Sequence, residues 1–202
     1  MDRSRSLAIA VLAAGTLAVA ACGSLAAPAG PGAGGVSPAA SPSPQLAASA
    51  AAGSCSLSAV KFSLDSAAAG VAAGSSFVPL EFTNVSASPC MLPSYPGVTF
   101  ASGAGGPAIG PPAVQQDKTA AQTVVLAPGQ LAHSWLQIVA AANYPAPRCH
   151  PVTAEGLLVN LSSGPASFVA DPVPACAQPP PGSAILSVFP VRAGQAQRGT
   201  MP

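Results

Sequence analysis

The most chemically versatile residues of this chain are its five cysteines and two histidines. Cys149 and His150 are adjacent in sequence, and Cys176 lies further along the chain. Cysteine thiolates and imidazole are soft ligands that suit zinc or copper. None of these residues shows a C-x-x-C or H-x-x-x-H spacing, and cysteines of exported proteins usually form disulfides. We predict no metal and no cofactor, and a metal-binding or redox protein that uses these three residues ranks third among the functions considered.

Hydrolytic chemistry has no recognisable signature in this sequence. A Ser–His–Asp site needs a nucleophile, a base and an orienting carboxylate. Serines are plentiful and Asp117 and Asp171 are available, but there is no G-x-S-x-G motif. No two carboxylates are close enough in sequence to suggest a glycosidase. We therefore assign no catalytic residue and predict that the protein is not an enzyme.

A candidate binding patch lies in the segment QLAHSWLQ and the loop after it. His133, Trp135 and Gln137 alternate, so they share one face of a predicted strand, and Tyr144 follows downstream. An exposed tryptophan beside polar groups is typical of binding surfaces. The alternative, which we favour, is that Trp135 points inward as the single large core residue, since large aromatic side chains usually serve cores.

The composition excludes a strongly charged surface. Charged residues make up 6% of the 202 residues and the formal net charge is +1, whereas roughly a quarter charged is usual for globular domains. A charge-poor surface offers no basic footprint for a phosphate backbone. We predict no nucleic-acid partner.

The amino terminus reads as an export signal. MDRSRSLAIAVLAAGTLAVAAC places two arginines before an uncharged run that is shorter than the roughly 20 residues of a membrane span, so residues 1–21 are predicted to be a signal peptide. An A-x-A site for ordinary secretion competes with a V-A-A-C sequence that resembles a lipobox ending at Cys22. Lipidation of Cys22 leaves an even number of cysteines for pairing, which favours a lipoprotein anchored to the cell membrane over a secreted protein.

The next segment is predicted to be a disordered linker. Residues 23–54 contain no charged and no aromatic residue, so they cannot bury enough apolar surface to offset their ordering entropy. Together with the lipidated Cys22 they form the predicted linker 22–54. A tail, residues 191–202, is also predicted to be disordered.

Residues 55–190 have the pattern of an all-β domain. Short apolar or alternating runs are separated by turn residues: SAVKFSL, SFVPLEFTN, GVTF, QTVVL, QLAHSWLQIVA, GLLVNLS, ASFVA and AILSVF. Seven or eight such strands predict an antiparallel β-sandwich, with an immunoglobulin-like topology as the favoured version.

Four cysteines remain for disulfides in this domain. Cys90 lies in a turn-rich loop, and Cys55 at the start of the first strand is its natural partner, which leaves Cys149 for Cys176. Four cysteines allow three pairings, so this pairing is a hypothesis that rests on local order.

The same residues resemble a known family. An apolar strand that ends in Phe82-Thr83-Asn84, the segment C-x-L-P-x-Y-P-G-V at residues 90–98, and L-A-P-G-Q-x-A at residues 126–132 resemble DUF4232, a domain of unknown function common in secreted lipoproteins of actinobacteria. The resemblance covers roughly residues 55–190, although many members have glycine where this chain has Ser94. It implies a β-sandwich outside the membrane and brings no catalytic residues.

These observations lead to a cell-envelope lipoprotein that acts as a non-catalytic, extracytoplasmic binding or interaction module. Its expected partners are the membrane, through the lipid anchor, and an envelope protein or ligand whose identity the sequence does not give. The second alternative is a structural envelope protein without a small ligand.

Overall fold

The computed structural model of the protein describes residues 52–162 and 164–202. The predicted signal peptide 1–21, Cys22 and nearly all of the predicted linker lie outside the described residues. The described part contains fourteen strands: β1 Gly53–Ser54, β2 Val60–Leu64, β3 Gly70–Ala72, β4 Ser75–Asn84, β5 Cys90–Leu92, β6 Gly97–Ala101, β7 Ala108–Ile109, β8 Val114–Gln115, β9 Val124–Leu126, β10 Leu131–Val139, β11 Pro151–Asn160, β12 Ser167–Cys176, β13 Leu186–Val188 and β14 Arg192–Ala193. Helical structure there is limited to three 3₁₀ turns, Leu57–Ala59, Lys118–Ala120 and Ala141–Asn143, and one short helix, α1, at Ala146–Cys149.

The strands form three sheets. The largest has seven strands in the order β2-β4-β10-β13-β8, with β3 beside β4 and β14 beside β10. A four-stranded sheet has the order β12-β11-β6-β7, and a three-stranded sheet the order β1-β5-β9. Most pairs are antiparallel, but β1 with β5 and β13 with β8 are parallel. The predicted all-β, sandwich-like fold is confirmed, and each of the eight runs read from the sequence overlaps a strand; the immunoglobulin-like topology stays a prediction.

One main core takes side chains from all three sheets. Alternation along β4 and β10 sends every second residue toward it, since successive side chains of a strand point to opposite faces. The largest fully buried members are Leu80, Phe82, Leu92, Phe100, Leu126, Leu136 and Leu157.

Two disulfides lie within this core. Cys55 is bonded to Cys90 with a Cα–Cα distance of 4.8 Å, and Cys149 is bonded to Cys176 with a Cα–Cα distance of 4.7 Å. Cys90 is the first residue of the three-residue strand β5. Its disulfide therefore joins this short strand covalently to Cys55 in the segment before β2. Of the three pairings that the sequence allowed, the structure confirms the one inferred from local order.

Two boundaries differ from the sequence prediction. Gly53 and Ser54, assigned to the linker, pair with Cys90 and Met91 as strand β1. The tail 191–202, predicted to be disordered, is packed: Val191 is fully buried and Arg192–Ala193 pairs with β10 as β14. The prediction failed because this segment has few apolar residues, while its folding depends on a complementary apolar surface that is formed by distant strands.

The strands β11 and β12 are also longer than their sequence runs. Each has ten residues, and a register shift between Ala154 and Gly156 marks a bulge in β11. Pro172 and Pro174 lie within β12, which occupies one edge of its sheet. Prolines are tolerated on an edge strand because no further neighbour needs their missing N–H.

Candidate binding site on the outer face of the seven-stranded sheet

Trp135 is buried outside the main core. Ala132, Leu136 and Ile138 of β10 face the main core, so His133 and Trp135 project from the opposite face of the sheet. Trp135 is only 5% exposed because it packs in a second, smaller group of side chains, here called the outer cluster: Ala68, Phe77, Trp135, Phe189, Ala196 and Met201. Trp135 is therefore neither an exposed platform nor a member of the main core, the two alternatives read from the sequence.

The carboxyl-terminal segment covers this outer cluster. Residues 194–202, here called the strap, contribute Ala196 and Met201 to it. Nδ1 of His133 lies 2.8 Å from the carbonyl oxygen of Gly194. Further along, the guanidinium of Arg198 donates hydrogen bonds to the carbonyl oxygen of Ala67, at 3.0 Å from Nε and 2.6 Å from Nη2. The strap thus bridges β10 and the turn that precedes β3.

A pocket of about 260 Å³ lies beside the outer cluster, lined by Asp117, His133, Trp135, Phe189, Pro190, Arg192, Thr200 and Pro202. The rings of His133 and Trp135 meet edge to face, with centroids 6.4 Å apart and planes at 87°. The pocket lining therefore combines three aromatic side chains, those of His133, Trp135 and Phe189, with the carboxylate of Asp117 and the guanidinium of Arg192. Aromatic and charged groups thus converge on one cavity, whose volume is slightly smaller than the roughly 300–1,000 Å³ of typical ligand pockets.

The motif with Tyr95 supports one wall of this pocket. The Tyr95 hydroxyl lies 2.7 Å from the carbonyl oxygen of Gln116 and 3.0 Å from that of Asp117. The backbone N–H of Val191 donates to the carbonyl oxygen of Ser94 at 2.9 Å. The C-x-L-P-x-Y-P-G-V segment therefore holds both the Asp117 turn and the chain just before β14.

The environment of Tyr95 also shifts its ionisation. Burial raises the pKa of Tyr95, the carboxylate of Asp117 raises that pKa further, and the guanidinium of Arg192 opposes both effects. Arg192 is itself oriented, because its Nη1 donates to the carbonyl oxygen of Ala120 at 2.6 Å. Asp117 and the contact of Arg192 thus belong to one turn, in which the Thr119 hydroxyl donates to Oδ1 of Asp117 at 3.2 Å.

A row of polar side chains crosses the same face of the sheet. His133 is paired in register with Glu81 on β4 and with Arg192 on β14. Glu81 is paired in turn with Ser63 on β2, whose hydroxyl lies 3.5 Å from Oε2. Oε1 of Glu81 is buried and has no hydrogen-bond partner among the described residues. The sequence offered one sign of this row, since Glu81 is the single charged residue in the alternating run SFVPLEFTN.

The structure gathers only part of the candidate patch. His133, Trp135 and Gln137 share the outer face of β10, and Gln137 Nε2 donates to Ser75 Oγ at 3.2 Å. Tyr144 packs against the main core instead, so it does not belong to the outer cluster. Sequence reasoning missed Asp117 and Arg192, because they reach the pocket only through the pairing of distant loops and strands.

The residues of the metal alternative are not arranged as ligands. Cys149 and Cys176 are joined to each other, so neither is a thiolate. His150 is exposed at the end of α1. In the part of the chain that the structure describes, no three histidine, cysteine, aspartate or glutamate side chains come together as a metal site.

A family comparison covers most of the chain. The model of DUF4232, described as a domain of unknown function, matches residues 55–192. The chain belongs to this family. The DUF4232 match includes the Tyr95 motif, β10 and the pocket residues up to Arg192, and it ends just before the strap. No curated protein and no solved structure matches the chain.

The cysteine chemistry of this DUF4232 domain indicates its compartment. Two disulfides are characteristic of an oxidising, extracytoplasmic environment, because cytosolic reductants keep thiols reduced. Among the described residues, no helix has the length and apolar character needed to cross a membrane.

Proposed function

We propose that this DUF4232 protein is a non-catalytic binding module outside the cytoplasmic membrane, anchored through a lipid on Cys22. The observation that carries the proposal is the pocket at His133 and Trp135 with charged groups of opposite sign in its lining. These side chains come from β10, β14 and a turn tied to Tyr95, so a rigid strand frame supports loop-borne polar groups. Binding residues are commonly presented by loops on such scaffolds.

The local hydrogen bonds support binding over catalysis. Nδ1 of His133 already contacts the carbonyl oxygen of Gly194. The hydroxyl of Thr200, which lines the same pocket, donates to the carbonyl oxygen of Gln197 at 2.8 Å. A nucleophile and a base need to contact each other, whereas these two groups are each bonded to backbone carbonyls. Contact with the rings and with Arg192 is the chemistry that the pocket offers.

The anchor is supported by the cysteine count. The four other cysteines are paired with one another in two disulfides. Without lipidation, Cys22 would remain as an odd thiol in an oxidising compartment, which is unusual for an exported protein. The intact mass of the protein, measured after extraction from its own membranes, tests this part of the proposal. A mass that includes acyl chains on Cys22 supports the anchor, and a mass without acyl chains contradicts it.

Binding can be tested with charge variants that leave the strands intact. The full-length protein, Arg192→Glu and the exposed control Lys61→Glu are each immobilised and exposed to detergent-solubilised envelope proteins and, separately, to soluble cell-wall fragments. We expect a component that the wild type and Lys61→Glu retain and that Arg192→Glu releases. The only tryptophan of the chain is Trp135, so the purified component must also change the Trp135 emission. Equal retention by all three proteins, or by none, contradicts binding at the pocket.

A structural envelope protein without a small ligand is the second candidate. One observation favours it: the strap already fills the apolar part of the outer face, so little of Trp135 is accessible. On this alternative, the isolated protein would retain nothing at the pocket, while chemical cross-linking in intact envelopes would join it to a neighbouring protein through other surfaces.

A further inference from the structure

The strap has the geometry of an intramolecular ligand. It leaves β14, crosses the outer face in contact with Trp135 and Phe77, and contributes two apolar side chains, Ala196 and Met201. Met201 also fills the space above Gly70, where the nearest Met201 side-chain atom would lie 2.5 Å from an added Cβ. Because Gly70 has no side chain, its backbone forms one wall of the groove that receives Met201.

The strap is fastened by few bonds. β14 contributes two paired residues, Arg192 and Ala193, before the strap begins. The contacts beyond β14 include the N–H of Gly194 with the carbonyl oxygen of Leu131, the Gly194–His133 contact, and the exposed pair from Arg198 to Ala67. Gly194 and Gly199 have φ angles of 83° and 84°, a conformation that glycine adopts without steric cost. A segment held by few hydrogen bonds, with one glycine at its first residue and another at residue 199, is the kind that opens locally before the core does.

The strap also lies beyond the family domain. The DUF4232 match ends at residue 192, whereas Phe77 and Trp135, the aromatic side chains beneath the strap, lie inside it. The apolar face is therefore part of the domain, and its cover in this chain is an addition to the matched region.

We propose that the strap occupies a peptide-binding groove as a displaceable pseudo-ligand, and that the groove binds an extended peptide segment of the same chemistry from a partner. The partner segment would contain a short run of small side chains, one basic residue like Arg198, and one flexible apolar side chain that packs against Gly70 as Met201 does. The inference rests on the proposed function, in that the outer face is a binding face.

The acceptor for the basic residue is fixed in place without the strap. Oδ1 of Asp65 accepts hydrogen bonds from the N–H groups of Ala67 and Ala68, at 2.9 and 3.2 Å. This turn holds the carbonyl oxygen of Ala67 where Arg198 reaches it. A competing peptide with an arginine at the equivalent position would thus find the same acceptor.

Covering the groove lowers its apparent affinity for a partner. A ligand that binds only the open form is weakened by the fraction of molecules in that form. Removal of the strap should therefore strengthen binding without any new contact. The direct test is a synthetic peptide with the strap sequence, GQAQRGTMP, carrying a fluorophore at its amino terminus.

The peptide is titrated by fluorescence anisotropy into the full-length protein and into a variant that ends at Ala193. We expect the shortened variant to bind at least about tenfold more tightly, and a peptide with Arg198→Ala and Met201→Ala to bind neither protein. If the shortened variant does not fold, as judged by circular dichroism, the double variant Arg198→Ala/Met201→Ala in the full chain replaces it. A folded, strap-free protein that does not bind the peptide overturns the proposal.

Hydrogen exchange of the full-length protein gives an independent readout. The N–H of Gly194, bonded to Leu131 in the strap-closed form, should exchange at least about tenfold faster than the paired N–H groups of β10. Equal protection of the strap and β10 means that the strap does not open on its own, which overturns the proposal. If an envelope ligand binds the wild type while the protection of the Gly194 N–H stays unchanged, the proposed function is supported and only the proposal that the strap is displaced is overturned. Peptide binding without any retained envelope component would support the groove and contradict the wider function.

Discussion

Nδ1 of His133 lies 2.8 Å from the carbonyl oxygen of Gly194, and this contact joins the third residue of β10 to the first residue of the strap. The same histidine stands in register with Glu81 on one side and Arg192 on the other. One residue therefore links the polar row of the sheet, the pocket and the segment that covers the outer cluster. Movement of the strap would change the pocket at this contact and also directly, because Thr200 and Pro202 of the strap line the pocket.

The two disulfides should stabilise the domain to a similar extent. Replacing Cys55 and Cys90 by serine opens a loop of 35 residues, and replacing Cys149 and Cys176 opens one of 27. Loop-closure entropy predicts a loss of about 3.5–4 kcal/mol in the free energy of unfolding for either pair. Urea unfolding measures both losses. The control Cys22→Ser should leave this free energy unchanged, and a peptide map that links Cys55 to Cys149 would refute the pairing itself.

Asn84 should be among the costliest polar side chains to remove. It is 1% exposed, and its Nδ2 donates to the carbonyl oxygens of Ser88 and Leu126, each at 2.9 Å. Asn84→Ala removes the donor to the buried carbonyl oxygen of Leu126 and the acceptor for the N–H and hydroxyl of Ser86, so we expect a loss of about 2–3 kcal/mol in thermal or urea unfolding. Asn143→Ala is the matched control, because Asn143 makes one exposed bond, to the carbonyl oxygen of Gly74. Equal losses for both variants would contradict the role given to burial.

Tyr95→Phe should loosen the pocket wall and change the alkaline stability. The lost hydroxyl contact costs about 1 kcal/mol. Burial raises the pKa of Tyr95 above the ordinary 10.0, so the folded state holds its proton to higher pH than the unfolded state. The stability of the wild type therefore falls as the pH rises from 10.0 through the raised pKa, and Tyr95→Phe removes this dependence.

Phenolate absorbance measures the ionisation of Tyr95 directly. The chain has two tyrosines, Tyr95 and Tyr144, so Tyr144→Phe leaves the Tyr95 titration alone and serves as the matched control. In that control we expect a midpoint above 10.0. A midpoint at or below 10.0 would contradict the upward shift of the Tyr95 pKa.

Asp171→Asn should stabilise the protein near neutral pH. Burial raises the pKa of Asp171 above 3.8, so the folded state binds its proton more tightly than the unfolded state. The wild type then loses stability as the pH rises from 3.8 through the raised pKa, and the charged form is the less favourable one at neutral pH. We expect a rise in Tm of no more than about 2 °C at pH 7, which disappears at a pH below 3.8. Glu155→Gln, an exposed carboxylate on the neighbouring strand, is the control; a gain that persists in acid would contradict the argument.

The strands were readable from the sequence because their signal is local. Alternation in SFVPLEFTN and QLAHSWLQIVA predicted β4 and β10, and the structure showed which face of each strand is buried, since it is Leu136 and not Trp135 that enters the main core. The pairing of Cys55 with Cys90 followed from local order as well. A period of two specifies which residues share a face, and it needs no knowledge of the neighbouring strands.

Only the tertiary structure showed what covers the outer face of the seven-stranded sheet. The sequence put Trp135 on the same side as His133, but it could not show that Ala196 and Met201 pack there, nor that Arg192 and Asp117 meet in one pocket. These contacts join residues more than sixty positions apart, or residues in loops whose paths depend on the disulfides and the strand order. The carboxyl-terminal segment has too few apolar residues to predict its own folding, and it becomes ordered only because the face of β4 and β10 offers it a complementary surface.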